Sequence, residues 1–429
     1  MTLMPACKCA RPATSPGSCR FSYFSPGQSG TAISSMNALA ALLLLTAIQI
    51  ATSFAATAVL TVSPLLADTL GISARWVGVY TAVLYAAAAC SSIWFGNRVH
   101  RLGAFQASRW RLALCASGML LIASSHVAGV LAGSVLMGLG YGGITPASSY
   151  FLSQGAPLKH CSLLFSIRQS GVPAGAALAA VLVPAMVQHL GLPWAFLAPG
   201  IMGLLAAVAF TARSAQELRQ TAQSGSAAST QASVWSLLAT HPPLRMLVLV
   251  AFVFSGLQVT TLAMLVPFLH GFQQMSIEQA GLLLTLLNLV GVVFRLLWGR
   301  CVDRGMPALR MLALSGLLGA LGFAILACAA FSVVAPFMLF VAAAALGVAV
   351  VAWNGVLFSE IAILVPREEV GRATGLCVFA GFVGVVVMPT ALTLAIEQRV
   401  ASGLVFVLGA MLSLHVGWLT WRRAPRKGA

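Results

Sequence analysis

Apolar runs of about 20 residues recur along the whole chain, with short polar segments between them. A run of this length, coiled as a helix that rises about 1.5 Å per residue, spans the hydrocarbon layer of a bilayer, which is about 30 Å thick. Only 7% of the 429 residues are charged, whereas a soluble domain carries about 25%. The sequence therefore predicts an all-α integral membrane protein with about twelve transmembrane helices.

The predicted helices fall into two groups of six. The first group lies at 39–66, 76–95, 110–125, 127–152, 163–187 and 194–212, and the second at 244–269, 279–298, 308–329, 334–358, 373–396 and 403–421. The stretch between them is polar and rich in small side chains, which is typical of a flexible linker. We expect a disordered N-terminal tail at 1–35, helical bundles at 36–213 and 243–422, a linker at 214–242 and a basic tail at 423–429.

The first 35 residues are rich in Pro, Ser and Gly and cannot bury enough apolar surface to fold. Met36, just before the first apolar run, is an alternative start of the chain. Three cysteines of this tail, Cys7, Cys9 and Cys19, have no histidine nearby, and the later cysteines stand apart as small apolar side chains. We therefore predict no metal site and no cofactor.

Basic residues account for the net charge of +16, but they lie between the apolar runs and form no single patch, so no nucleic-acid partner is predicted. One set of alternate loops holds nearly all of them, Arg109 and Arg111 included, whereas the other set holds only Arg75 and Arg399. Cytoplasmic loops carry the excess of Lys and Arg in membrane proteins. With an even number of helices, both termini and the linker are predicted to be cytoplasmic.

The two groups of helices are internal repeats. When the chain is shifted by 203 residues, its first two helices match the first two helices of the second group without gaps. Further along, the shift becomes 210 residues, as insertions between helices would produce. Positions that coincide include Thr57 with Thr260, Pro64 with Pro267, Arg101 with Arg304 and Gly171 with Gly381. Parallel repeats of this kind rock around a central site in transporters.

A motif after the second helix of each repeat is specific enough to name a family. The segment from Gly96 to Gly103 reads GNRVHRLG and resembles the signature G-x-x-x-D-R-x-G of the major facilitator superfamily. The second repeat reads GRCVDRG from Gly299. His100 stands where the family has Asp, which weakens the charged latch expected there. The matched positions are Gly96, His100, Arg101 and Gly103 in the first repeat, and Gly299, Asp303 and Arg304 in the second.

This resemblance implies two pseudo-symmetric six-helix bundles and a secondary active transporter of the cytoplasmic (inner) membrane, working as a monomer by alternating access on a small organic solute. Export of drugs or metabolites is the alternative, because residues 171–175 are similar to a motif of the family's antiporters. A membrane sensor that does not transport is a third reading. The sequence contains no HExxH, GxSxG or Walker motif, so neither an enzyme nor an ATP-driven pump is expected.

Polar residues inside transmembrane helices are the candidates for the substrate pathway, because burying them in lipid is costly. In the first helix they recur at steps of three or four, which places them on one face. For each Ser or Thr the alternative is a hydroxyl bonded back to its own helix. The candidates are Gln49, Ser53, Tyr85, Tyr141, Arg168, Gln258, Asn288, Arg295, Trp353 and Asn354.

Two arginines within apolar runs, Arg168 and Arg295, favour an organic anion as substrate, because a guanidinium matches a carboxylate with two parallel hydrogen bonds. Both lie toward helix ends, where a long side chain can instead extend to the membrane surface. Glu360 is the candidate acid for proton coupling, or else a structural partner of a nearby arginine. Proton coupling is implied by the family resemblance alone.

Overall fold

The computed structural model describes residues 38–73, 76–155, 161–211, 234–393 and 399–425. The predicted N-terminal tail, Met36, Arg75, most of the predicted linker and the end of the basic tail lie outside the described residues. In these ranges the chain is almost entirely helical, so the predicted all-α fold is confirmed.

Nine helices form the first half of the chain within the described ranges. Gly103 adopts a φ of 78°, in the left-handed region, so the third helix ends and the fourth begins without an intervening loop. The helices are α1 (Ala38–Thr61), α2 (Ser63–Leu70), α3 (Trp76–Leu102), α4 (Ala104–Ile122), α5 (Val127–Gly142), α6 (Ile144–Gly155), α7 (Cys161–Gln169), α8 (Gly171–Leu190) and α9 (Trp194–Ala209).

The second half follows the same plan, and Gly305, with a φ of 96°, makes the turn that corresponds to Gly103. A π-helical segment, Gly347–Val351, interrupts one helix, and a short 3₁₀ turn, Arg367–Glu369, precedes another. The helices are α10 (Ser236–Thr240), α11 (Pro242–Gln273), α12 (Ile277–Asp303), α13 (Ala308–Phe331), α14 (Pro336–Leu346), α15 (Trp353–Leu364), α16 (Val370–Thr393) and α17 (Arg399–Arg423).

Ten of the helical stretches are long and apolar enough to cross a membrane, three of them formed by consecutive helices such as α5 with α6. Two shorter or more polar helices, α4 and α9, complete the expected set of twelve. The second crossing ends at Leu102 and not at 95, and the third crossing starts at Ala104 and not at 110. Hydropathy alone misses this turn of helix because it contains Gln106, Ser108 and Arg109.

The turns at Gly103 and Gly305 lie at one common end of the two bundles, which we call the basic face. At this end the halves touch: α3 packs against α16, and α7 packs against α12 and α15. The approach is close because small residues line it. A Cβ on Gly96 would stand 2.8 Å from the carbonyl oxygen of Gly371, in the other half.

Candidate functional site

Arg168, near the end of α7, is fully buried and lies at the centre of a polar cluster. Its Nη2 donates to the side-chain oxygens of Gln49 at 2.7 Å, Gln169 at 2.6 Å and Thr145 at 3.2 Å. Its Nη1 donates to the hydroxyl of Ser148. The Nε atom is buried and has no hydrogen-bond partner. None of the bonds of Arg168 in the described part of the chain goes to a carboxylate, so its charge is solvated by neutral oxygens only.

Aromatic rings from both halves meet in a second cluster. Tyr85 of α3 lies edge-on to Tyr141 of α5, with 6.4 Å between ring centroids. Phe382 of α16 lies 5.5 Å from Tyr85 and 6.0 Å from Tyr141. All three are half-buried. Tyr141 lies in the helical turn before Thr145, so the rings adjoin the Arg168 cluster along the same crossing.

Arg295 of α12 is also buried, but backbone carbonyl groups bind it from two sides. Its Nε and Nη2 donate to the oxygen of Val351, at the end of the π-helical segment, with an Nε distance of 3.0 Å. Its Nη1 donates to the carbonyl of Gln169 at 2.6 Å. Gln169 therefore joins Arg168, through its side chain, to Arg295 in the other half, through its backbone.

A carboxylate latch ties the halves together at the basic face. Asp303, the last residue of α12, accepts the backbone N–H groups of Ser162 and Leu163, each at 3.0 Å. These N–H groups stand at the start of α7, where the helix dipole favours a negative charge. Ser359 of α15 adds a hydrogen bond of 3.0 Å to the hydroxyl of Ser162.

The family comparison agrees with this architecture. A sequence model of the Major Facilitator Superfamily matches residues 42–389 and 274–429. The chain belongs to this superfamily. No curated protein matches the sequence.

Three solved superfamily structures show the same fold at low sequence identity. The human organic anion transporter MFSD10 (TETRAN) has a TM-score of 0.70 at 16% identity, and the match covers 90% of this chain and 100% of that chain. The proton:xylose symporter XylE has a TM-score of 0.69 at 14% identity, and the match covers 90% of this chain and 95% of that chain. A bacterial homologue of the iron transporter ferroportin, in an outward-facing state, has a TM-score of 0.69 at 17% identity. That match covers 89% of this chain and 100% of that chain.

The superfamily motif has different contacts in its two copies. In the second, Gly299 lets α12 approach α7, because a Cβ there would stand 2.6 Å from Ser166 Oγ. Arg304 is exposed and follows Asp303 at the helix end. In the first copy Arg101 is exposed, and Nδ1 of His100 is buried without a hydrogen-bond partner. The described residues thus contain an Asp latch in one half only, as the substitution by His leads one to expect.

Several residues predicted to line the substrate pathway have partners within their own half. Asn288 donates to the carbonyl of Leu284, one turn earlier, at 2.9 Å. Trp353 is 2% exposed and packs on Phe254, with ring centroids 5.8 Å apart. Ser53 donates to the carbonyl of Val172, which lies in another helix of the same half, at 2.7 Å.

Three further candidates, Gln258, Asn354 and Glu360, are half-buried in α11 and α15. Within the described part of the chain Glu360 makes no hydrogen bond or ion pair, so the structural partner considered for it is not among these residues. Since α15 packs on α7, Glu360 lies near the contact between the halves. Its part in proton coupling stays a prediction.

Gln169 and Arg111 are two of the buried polar residues that the sequence did not single out. Gln169 looks like any polar residue at a helix end, and only its neighbour Arg168 in an apolar run signals its importance. Arg111 was counted with a basic loop, but it lies inside α4 and is 1% exposed. It donates to the carbonyl of Gly143 and to Ser108 Oγ and lies over the Phe95 ring. Because α4 begins at Ala104, Arg111 lies about two turns inside the helix and not at its first turn.

Replacing Asp303 by Asn should weaken the latch by about 1–2 kcal/mol, because two charge-assisted hydrogen bonds and a favourable dipole interaction are lost. The contact between the halves should then open roughly tenfold more often. The measurement is the rate at which a water-soluble maleimide labels a Ser166→Cys reporter, read by mass spectrometry of peptides. Asp68→Asn, an exposed aspartate in α2, is the matched control. Equal rates in all three proteins would show that Asp303 does not hold the halves together.

Proposed function

We propose that this superfamily member is a secondary transporter of an organic anion, with Arg168 as the residue that binds the anionic group. The observation that carries the proposal is the state and the place of this side chain: it is fully buried, faces no carboxylate in the described residues, keeps an unpartnered Nε and adjoins the aromatic cluster that both halves form. A buried charge without a counter-ion is costly. An anionic substrate would supply the counter-ion that the protein does not.

The geometry suits a planar anion. The Nε atom and an Nη atom lie on one edge of a guanidinium, and a carboxylate binds such an edge with two parallel hydrogen bonds. The aromatic cluster of Tyr85, Tyr141 and Phe382 offers an apolar surface for the organic part of the ligand. Because Phe382 belongs to the second half, a ligand between the rings and Arg168 would touch both halves.

We propose that the halves move by alternating access, and the contacts between them support this proposal. The latch at Asp303 and the glycine contacts close the basic face, and we place this face in the cytoplasm because it carries the Arg-rich loops. With this orientation, both termini lie on the cytoplasmic side of the membrane. We further propose that the moving units are 36–213 and 243–422, joined by the linker at 214–242.

The solved relatives are compatible with several substrates, since they include an organic anion transporter, a xylose symporter and an iron transporter homologue. At 14–17% identity they support the fold and not the choice among these. The anion proposal therefore rests on Arg168. Coupling to protons, with Glu360 as the acid, and efflux of drugs or metabolites are the next hypotheses to test.

The test is a thermal-stability screen of the purified protein with carboxylates, sulfonates, neutral sugars and hydrophobic cations. A ligand at 100 times its dissociation constant should stabilise the folded state by about 2.7 kcal/mol. We expect stabilisation by organic anions only, followed by uptake of the same anions into proteoliposomes. Stabilisation by cations alone would overturn the proposal in favour of efflux, and binding without flux would favour a sensor.

A further inference from the structure

A groove on the outer surface of the first half lies between α3, α4 and α5, apart from the Arg168 cluster. Its volume is about 530 Å³, and apolar and small side chains line it. The groove extends from Leu102, at the basic face, to Cys90 and Leu139, near the middle of their membrane crossings. From Leu102 to Cys90 it covers about 18 Å of helix α3. One leaflet of a bilayer is about 15 Å of hydrocarbon, so the groove has the length of a single acyl chain.

Two tryptophans and two arginines stand together at the groove. Trp94 and Trp110 line it and remain 48% and 51% exposed. Arg98 lies over the Trp94 ring, with its guanidinium carbon 4.3 Å from the ring centroid. Arg109 lies 5.7 Å from the centroid of Trp110. Tryptophan favours the level of the lipid headgroups, and stacking on the rings holds both guanidinium groups at that level.

The charge at this site is unbalanced. None of the helices α3, α4 and α5 contains an Asp or a Glu. A basic site about one helical turn from the Leu102 end of an apolar groove matches an anionic phospholipid in both charge and shape. A neutral lipid would fill the groove but leave both guanidinium groups without a counter-ion.

The second repeat does not carry the Trp and Arg residues of α3 that stand at the groove. With the shift of 203 residues, Trp94 corresponds to Leu297 and Arg98 corresponds to Cys301. At these corresponding positions the second half has no Arg and Trp pair, and its stacked pair, Arg422 on Trp418, lies on α17.

We propose that this groove binds one anionic phospholipid of the leaflet at the basic face, with its phosphate between Arg98 and Arg109 and an acyl chain along α3. The site adjoins the turn at Gly103, so a bound lipid would brace the junction of α3 and α4. The proposal is independent of what the protein transports.

The experiment measures binding of dioleoylphosphatidylglycerol and dioleoylphosphatidylcholine to the full chain in neutral detergent, by native mass spectrometry and by thermal stability. The two lipids share their acyl chains and differ in headgroup charge. In the double variant Arg98→Gln, Arg109→Gln, affinity for phosphatidylglycerol should fall about tenfold or more, and affinity for phosphatidylcholine should not change. Arg98 is exposed and Arg109 is half-buried, so the variant should keep a melting temperature close to that of the wild type without lipid.

Two further variants separate a site from a general effect of charge. Arg300→Gln, Arg422→Gln removes the same charge from the basic face, and Arg422 also stacks on a tryptophan, Trp418, at 4.7 Å. It should bind phosphatidylglycerol like the wild type.

Cys90→Phe fills the groove at an exposed position and should weaken binding with all arginines present. An equal loss in the control variant, or equal binding of the two lipids, would overturn the proposal. So would equal stabilisation by soluble glycerol phosphate, since the acyl groove would then have no part.

Discussion

Exchange of Arg168 for methionine is expected to weaken binding of an organic anion about 100-fold and to abolish its uptake, while the melting temperature stays close to that of the wild type. Removing one partner of a buried, hydrogen-bonded charge pair costs about 2–5 kcal/mol of binding. In the protein without substrate, however, Arg168 has no counter-ion among the described residues, so methionine removes an uncompensated charge. Titration calorimetry and proteoliposome flux measure the two effects.

Arg111→Met is the matched control for this experiment. Arg111 is as deeply buried as Arg168 and likewise binds only uncharged groups, but the carbonyl of Gly143 and the hydroxyl of Ser108 are its structural partners. Its loss should likewise leave the melting temperature close to that of the wild type, and it should leave anion affinity unchanged. A large drop in melting temperature in Arg168→Met, with anion binding intact, would assign Arg168 to the fold instead.

Arg168→Lys tests the role of geometry at constant charge. Lysine carries the charge as a single point and cannot present two parallel N–H groups to a carboxylate. We expect an affinity between those of the wild type and Arg168→Met. Binding equal to the wild type would mean that charge alone, and not the planar guanidinium, recognises the substrate.

The helices could be predicted from the sequence because a long apolar run in lipid finds no water to bond its backbone. The backbone must satisfy its own hydrogen bonds, and an α-helix does so. The turns at Gly103 and Gly305 could also be found, since the motif repeats. The start of α4 could not, because a polar helical turn that packs inside a bundle has the composition of a loop. For that reason Arg111 is counted with a basic loop in the sequence analysis, although it lies inside α4.

The polar partners were less accessible to sequence reasoning because they depend on tertiary contacts. Arg168 and Arg295 share a residue type, a helical environment and a similar depth, yet Arg295 binds the carbonyl groups of Val351 and Gln169. A π-helical segment makes backbone groups available in this way, and nothing in its sequence, GVAVV, marks it. The partner of Asp303 is a helix N-terminus more than 100 residues away, which periodicity cannot reveal.

Replacing Gly375 by valine should force the halves apart at the basic face. A Cβ at this position of α16 would stand 2.5 Å from the carbonyl oxygen of Ser92 and 3.3 Å from the Cα of Gly96, both in the other half. The hydroxyl of Ser92 also donates to the carbonyl of Gly375 at 3.1 Å. Backbone atoms cannot yield as a flexible side chain can, so overpacking should cost about 2–3 kcal/mol in the closed state.

That cost applies only while the halves touch, so the change should favour opening and leave the interior of each half folded. Labelling of the Ser166→Cys reporter should accelerate about 30- to 100-fold. Gly281→Val is the neutral control, because a Cβ there meets nothing within 4 Å. Gly138→Val, where the Cβ would stand 2.8 Å from the Cβ of Ala87 within the same half, should instead reduce the yield of folded protein. If Gly375→Val behaved like Gly138→Val, the contact between α3 and α16 would be part of one rigid core, and alternating access would have to occur elsewhere.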